Sequence, residues 1–200
     1  MKIIFLTNNL EVTQPLVRWL KSQKEEVLVH SLPLNLALLK AHNPDIIISY
    51  NYRHIIKEDV IKYLPNRILN LHISLLPWNR GAHPNIWSFL EDSPKGVSIH
   101  LIDKGLDTGK ILLQSELTFD EATESLTSTY HKLHREVQQL FRRNWINLKK
   151  DLIVPIMQTG QGSFHNSKEA IPLIEHFGEK LWTLTIKEFK KKALAIRKIS

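Results

Sequence analysis

The chain has no cysteine among its 200 residues. That excludes a disulfide framework, a thiolate metal site and a cysteine nucleophile, so any chemistry must use nitrogen and oxygen. Glycine is sparse at seven residues, and none of them forms a G-x-G-x-x-G turn after the first strand. A dinucleotide-binding enzyme of that kind is therefore disfavoured. No apolar run approaches the length of a membrane span, and the short run after Met1 stops at Thr7, too early for the core of a signal peptide. The expectation is a cytoplasmic protein with no membrane partner.

What is present is an ordinary globular composition with a net charge of +7. The stretch Lys187 to Ser200 carries five lysines, one arginine and one glutamate, and without it the charge falls to about +2. This discounts bulk nucleic-acid affinity and favours a solvated basic helix over Thr185 to Lys198, with attraction for an anionic substrate or RNA as the other reading.

Apolar runs and helical spacings alternate along the first half of the chain. Lys2–Thr7, Val27–Leu32, Asp45–Tyr50, Arg67–His72, Gly96–Ile102 and Ile111–Phe119 read as strands. Glu11–Gln23, Asn35–His42, Lys57–Leu64, Pro84–Leu90 and Ala122–Lys150 read as helices. The centre of Asp45–Tyr50, DIIISY, is apolar without interruption, as in a strand covered on both faces. The fold class predicted is α/β, a Rossmann-like, mostly parallel central sheet with helices on both faces and a small C-terminal appendage. The predicted division is a domain over 1–150 and an extension over 151–200, linked by the turn-rich Gln158 to His165.

Chemistry concentrates between Leu69 and Gly109, which holds Gly81, Gly96, Gly105 and Gly109. Asn70 and His72 lie two apart at the end of a strand and so leave the sheet on one face. The turn Asp103 to Gly109 can return Asp107 toward them. Ser98 and His100 also share a face of their strand and point together, with His100 read either as a satisfied structural residue or as a substrate contact. Asn8 and Asn9 precede a helix, where they serve either as caps or as part of an anion site. Arg80 can grip a carboxylate or phosphate, and Gly81 frees the backbone beside it. His131 and His134 are three apart, but no third ligand accompanies them and no metal is expected.

The segments N-L-H-I-S-L-L-P, R-G and G-V-S-I-H-L-I-D-K-G-L-D-T-G, in that order, resemble the 10-formyltetrahydrofolate-dependent formyltransferases over roughly Pro44 to Thr118. The resemblance implies Asn70, His72 and Asp107 as catalytic residues. It further implies that His54, Ile55 and Ile56, with Lys104, Gly105 and Leu106, hold 10-formyltetrahydrofolate as formyl donor. Trp78 to Ser88 is most similar to the sugar N-formyltransferases, as is His165-Asn166-Ser167-Lys168. That branch implies a nucleotide-linked amino sugar as partner, contacted by Asn8, Asn9, Arg80, His83 and His100, in a surface-glycan pathway, and a homodimer is compatible with it. Ile73 departs from the pattern, where many members have proline. The competing readings are transfer to glycinamide ribonucleotide or methionyl-tRNA, hydrolysis of the formyl folate, and a non-catalytic folate- or nucleotide-binding module.

Overall fold

The computed structural model describes residues 1–197. It divides into two compact units that interleave along the sequence. Residues 1–72, 99–113 and 143–158 form the first, and residues 73–98, 114–142 and 159 onward the second. Neither unit coincides with a division at residue 150.

In the first unit, β1 (Lys2–Leu6) pairs in parallel with β2 (Glu26–His30) and with β3 (Ile46–Tyr50), and β3 pairs in parallel with β4 (Ile68–His72). The sheet continues through β6 (Gly96–Leu101) to β7 (Ile111–Glu116), giving the order β2-β1-β3-β4-β6-β7. The short β5 (Arg80–Gly81) lies outside it. Ile102 N donates to Ile68 O, and Asn70 faces His100 across the strands, the ordering of an antiparallel pair. Only β6 therefore runs against the other five, since the Leu101 N to Lys110 O bond joins it to β7 as a hairpin.

Alternation along the strands assigns the faces. Ile4, Leu6, Ile47 and Ile68 form one core with Leu39 of α2 (Leu36–His42) and Val60 of α3 (Glu58–Tyr63). Ile3, Phe5, Ile46, Ile48, Leu69 and Leu71 project the other way and are equally buried. Further buried stripes of this unit are Leu16, Val17 and Leu20 of α1 (Leu10–Ser22) and Trp145 and Leu148 near the end of α5 (Leu126–Lys149). A sheet buried on both sides leaves its strand ends, not its faces, for ligands.

One buried charge ties this unit together. Glu25, with 2% of its side chain exposed, accepts from the Met1 ammonium at 2.7 Å and from Lys149 Nζ at 2.5 Å. Trp145 Nε1 adds a bond to the same carboxylate at 3.3 Å. Burial pushes the Glu25 carboxyl up, but the bonds from Lys149, the N-terminus and Trp145 outweigh it and hold the pKa below its ordinary 4.5. A depressed carboxyl stabilises the fold above the unfolded pKa, and the contribution disappears as pH falls through the folded value. Glu25→Gln is expected to cost about 2 kcal/mol at pH 7, the scale of charged hydrogen bonds. Urea denaturation of both proteins should show the gap closing as the pH drops below 4.5.

The second unit is built on α4 (Pro84–Leu90), every residue of which is buried. Ile86, Trp87, Phe89 and Leu90 share a core with Leu126, with Ala170 and with Leu173 of α6 (Ile171–Phe177). Leu181 of α7 (Lys180–Thr183) and Ile186, Phe189 and Ala193 of α8 (Ile186–Arg197) complete it. The stretch read as a C-terminal extension thus supplies half of this core. The predicted basic helix is α8, and Lys198 lies outside the described residues.

Two expectations change here. The long helix begins at Leu126 rather than Ala122, because Asp120 turns the chain by accepting from Ala122 N at 3.0 Å and Thr123 Oγ1 at 2.9 Å. Ser125 and Ser128 then cap the helix reciprocally. The link before His165 also holds a strand, β8 (Phe164–His165), which pairs in parallel with β5. Gly81, at φ 87°, sits where a Cβ would collide with His165 O. The imidazole of His165 stacks on Trp87 with ring centroids 4.2 Å apart, between Glu91 at 3.2 Å and Glu169 at 3.0 Å. Among the described residues, no helix is long and apolar enough to cross a membrane.

Candidate active site

Asn70, His72, His100 and Asp107 converge at the end of β4 in the first unit. Asn70 Nδ2 donates to Asp107 Oδ1 at 3.0 Å and lies 3.1 Å from His100 Nε2. His72 Nδ1 is 3.7 Å from Asp107 Oδ2, an ion-pair distance when the imidazole is protonated. The two histidine rings stand edge to face, 6.3 Å between centroids. The His72 and Asp107 side chains are 9% and 11% exposed, enough for a ligand to reach and too little for bulk water to screen.

Proton positions follow from the partners. His100 Nδ1 donates to Leu101 O at 2.8 Å, which leaves Nε2 as an acceptor in the neutral ring. Only the amide nitrogen of Asn70 satisfies that acceptor, so the orientation of the Asn70 side chain is fixed. His100, read from the sequence either as a hydrogen-bonded structural residue or as a substrate contact, bonds to Asn70. Ser98, read as pointing together with it, donates to Ser74 O at 2.7 Å and accepts from Leu76 N and Gln114 Nε2. Both N–H groups of Asn70 have partners within the site. An incoming oxygen must compete with the Asp107 carboxylate for one of them.

Asp107 reaches the cluster from a turn with its backbone at φ 54°, a left-handed conformation that Asp and Asn tolerate. Asp103 Oδ1 closes the same turn by accepting from Gly105 N at 3.0 Å and Thr108 Oγ1 at 2.7 Å. At its end Gly109 passes so close to Leu101 O that a Cβ would overlap it.

Beside the cluster is a cavity lined by Ser49, Tyr52, residues 54–56, Asn70, His100 and residues 102–107. The six residues implied as folate contacts all fall on its wall. Ile55 is 81% exposed and Leu106 51%, two apolar surfaces that a flat heterocycle would cover. Tyr52 braces this rim by donating to Leu32 O at 2.6 Å and accepting from Leu34 N at 3.0 Å, and burial pushes its phenol up.

The remaining candidates stand elsewhere. Asn8 is engaged on both amide atoms, donating to Ser31 O at 2.9 Å and accepting from Arg53 N at 3.0 Å. Asn9 caps α1 through Val12 N at 3.3 Å. Arg80 and His83 belong to the second unit, Arg80 in β5 and His83 at the start of α4 with φ 53°. Burial lowers the His83 pKa and so favours the neutral ring. His134 is driven to about 3 by burial and by its neighbour His131. Among the described residues, no three His, Cys, Asp or Glu side chains are grouped to hold a metal.

A family model described as "Formyl transferase" matches residues 7–144, which include all four clustered side chains. The chain belongs to this family. It is 38% identical to the formyltransferase PseJ from Anoxybacillus kamchatkensis, covering 94% of this chain and 97% of that one with a TM-score of 0.85. PseJ was solved with UDP-4,6-dideoxy-4-formamido-L-AltNAc and tetrahydrofolate. A methionyl-tRNA formyltransferase of Thermodesulfovibrio yellowstonii is 35% identical over 62% of this chain and 40% of its own length. A GDP-perosamine N-formyltransferase of Brucella melitensis is 34% identical over 62% and 47%. The chain spans less than half the length of these curated relatives.

Proposed function

We propose that the protein transfers the formyl group of 10-formyltetrahydrofolate to the primary amine of a nucleotide-linked amino sugar. The observation that carries this reading is the cluster of Asn70, His72 and Asp107 beside the cavity of residues 54–56 and 103–107, in a chain alike to PseJ over nearly the full length of both.

Formyl transfer forms a C–N bond to the amine, breaks the C–N bond to the folate, and moves one proton from amine to leaving nitrogen. The donor supplies the reactive carbon, and its ring system suits the apolar rim at Ile55 and Leu106. Asn70 donates an N–H to the formyl oxygen as negative charge gathers there. His100 keeps that amide turned the right way. Asp107 accepts the proton that leaves the amine, directly or through His72, which sits 3.7 Å away. The low exposure of all these groups strengthens each interaction.

Transfer to methionyl-tRNA is the second reading, supported by the Thermodesulfovibrio relative. Incubation with 10-formyltetrahydrofolate and a panel of UDP-, dTDP- and GDP-linked amino sugars, read by mass spectrometry, tests the proposal. One sugar nucleotide should gain the mass of a formyl group. Formylation of methionyl-tRNA alone, or formate release without any acceptor, would overturn it.

A further inference from the structure

We infer that Gln158 is a positioning residue for the Asp107 carboxylate. Its side-chain Nε2 donates to Asp107 O and to Gly109 O, each at 2.8 Å. Both hydrogens of one amide thus bridge two carbonyls that flank Thr108. The turn is held at its other end by Asp103, whose bonds to Gly105 N and Thr108 Oγ1 fix the limb that lines the cavity. The two fastenings divide the work. Asp103 shapes the pocket wall, and Gln158 sets the backbone from which the Asp107 side chain projects.

This matters because Asp107 is held in a left-handed conformation, one that an unconstrained aspartate leaves readily. A peptide rotation there would swing Oδ1 away from Asn70 Nδ2, now 3.0 Å off. Gln158 itself is held in place by the adjacent Ile111–Ile156 pairing, whose two 2.8 Å bonds fasten Ile156 to the start of β7. Residue 158 also lies beyond the stretch matched by the family model, so the fastening comes from outside the shared motif.

The inference rests on Asp107 serving formyl transfer. Gln158→Leu keeps the side-chain volume and removes both donors, while Gln158→Glu keeps the shape and, when ionised, has no proton to give. Both variants should lose roughly tenfold to a hundredfold in kcat, the scale of a misplacement of about 1 Å, with KM for the formyl donor little changed. Hydrogen exchange should quicken at residues 105–110 and not across the rest of the chain. Unchanged kcat, a loss confined to KM, or faster exchange throughout the chain would overturn the assignment. Should the wild-type protein formylate no amine, the functional reading fails by itself. Exchange confined to the turn would then still support the fastening, and wild-type exchange would overturn it.

Discussion

Asn70→Ala is expected to lower the proposed formyl transfer by roughly a hundredfold or more, the usual consequence of deleting one donor to a developing oxyanion, about 2.7 to 4 kcal/mol. The carboxamide nitrogen bonds to both His100 Nε2 and Asp107 Oδ1, and His72 is 3.7 Å from the carboxylate on its other oxygen. Alanine removes the donor and leaves His100 Nε2 and the Asp107 carboxylate, 3.4 Å apart, without the amide that bonds to both. A stability loss of about 1 to 3 kcal/mol should accompany the kinetic one, from the polar atoms left without this partner. Single-turnover rates with saturating formyl donor, measured on protein shown to be folded by its urea transition, separate the two effects. A variant within a few-fold of wild type would remove Asn70 from the mechanism.

Asp107→Asn should be equally damaging for a different reason. Asparagine accepts the left-handed backbone at φ 54°, so the turn survives and the change is confined to charge and proton affinity. An amide cannot take the proton released by the amine, and it no longer presents a negative charge to His72 and His100. Loss of positioned acid–base assistance costs about 10²- to 10⁴-fold. The loss should fall on kcat, because the cavity wall at Lys104, Gly105 and Leu106 is shaped by Asp103, not by the Asp107 carboxylate. Near-normal turnover in Asp107→Asn would eliminate the carboxylate as proton acceptor.

Much of this was legible from residue order alone, where the signal was periodic. The buried run at Ile46–Tyr50 and the two-residue spacing of Asn70 and His72 are both consequences of strand geometry, and both appear as read. The turn after β6 carries Asp107 back because the hairpin with β7 leaves it little other route. Features without a period leave no such signal. A two-residue strand such as β5 or β8 has no alternation to detect, so the pairing of Arg80 with Phe164 carries no periodic signal. His100 was singled out, but its role depends on which ring nitrogen Leu101 O fixes, a fact of three-dimensional placement. Gln158 was invisible because it bonds to backbone carbonyls 51 and 49 residues earlier, and carbonyls carry no sequence signature. The start of α5 is set by the reciprocal Ser125 and Ser128 cap, a weaker pattern in the sequence than the apolar stripe that follows it.

The interleaving of the chain bears on how the molecule assembles. The first unit takes its last piece, residues 143–158, only after the chain has left at 113 and travelled through 114–142. During synthesis the ribosome must therefore release both units' material before either is closed, and the Ile111–Ile156 pairing is among the late contacts to form. Closing loops of that span is slow compared with local helix growth, so nascent chains halted near residue 150 would carry the four clustered side chains without Gln158, which bonds to the turn of Asp107.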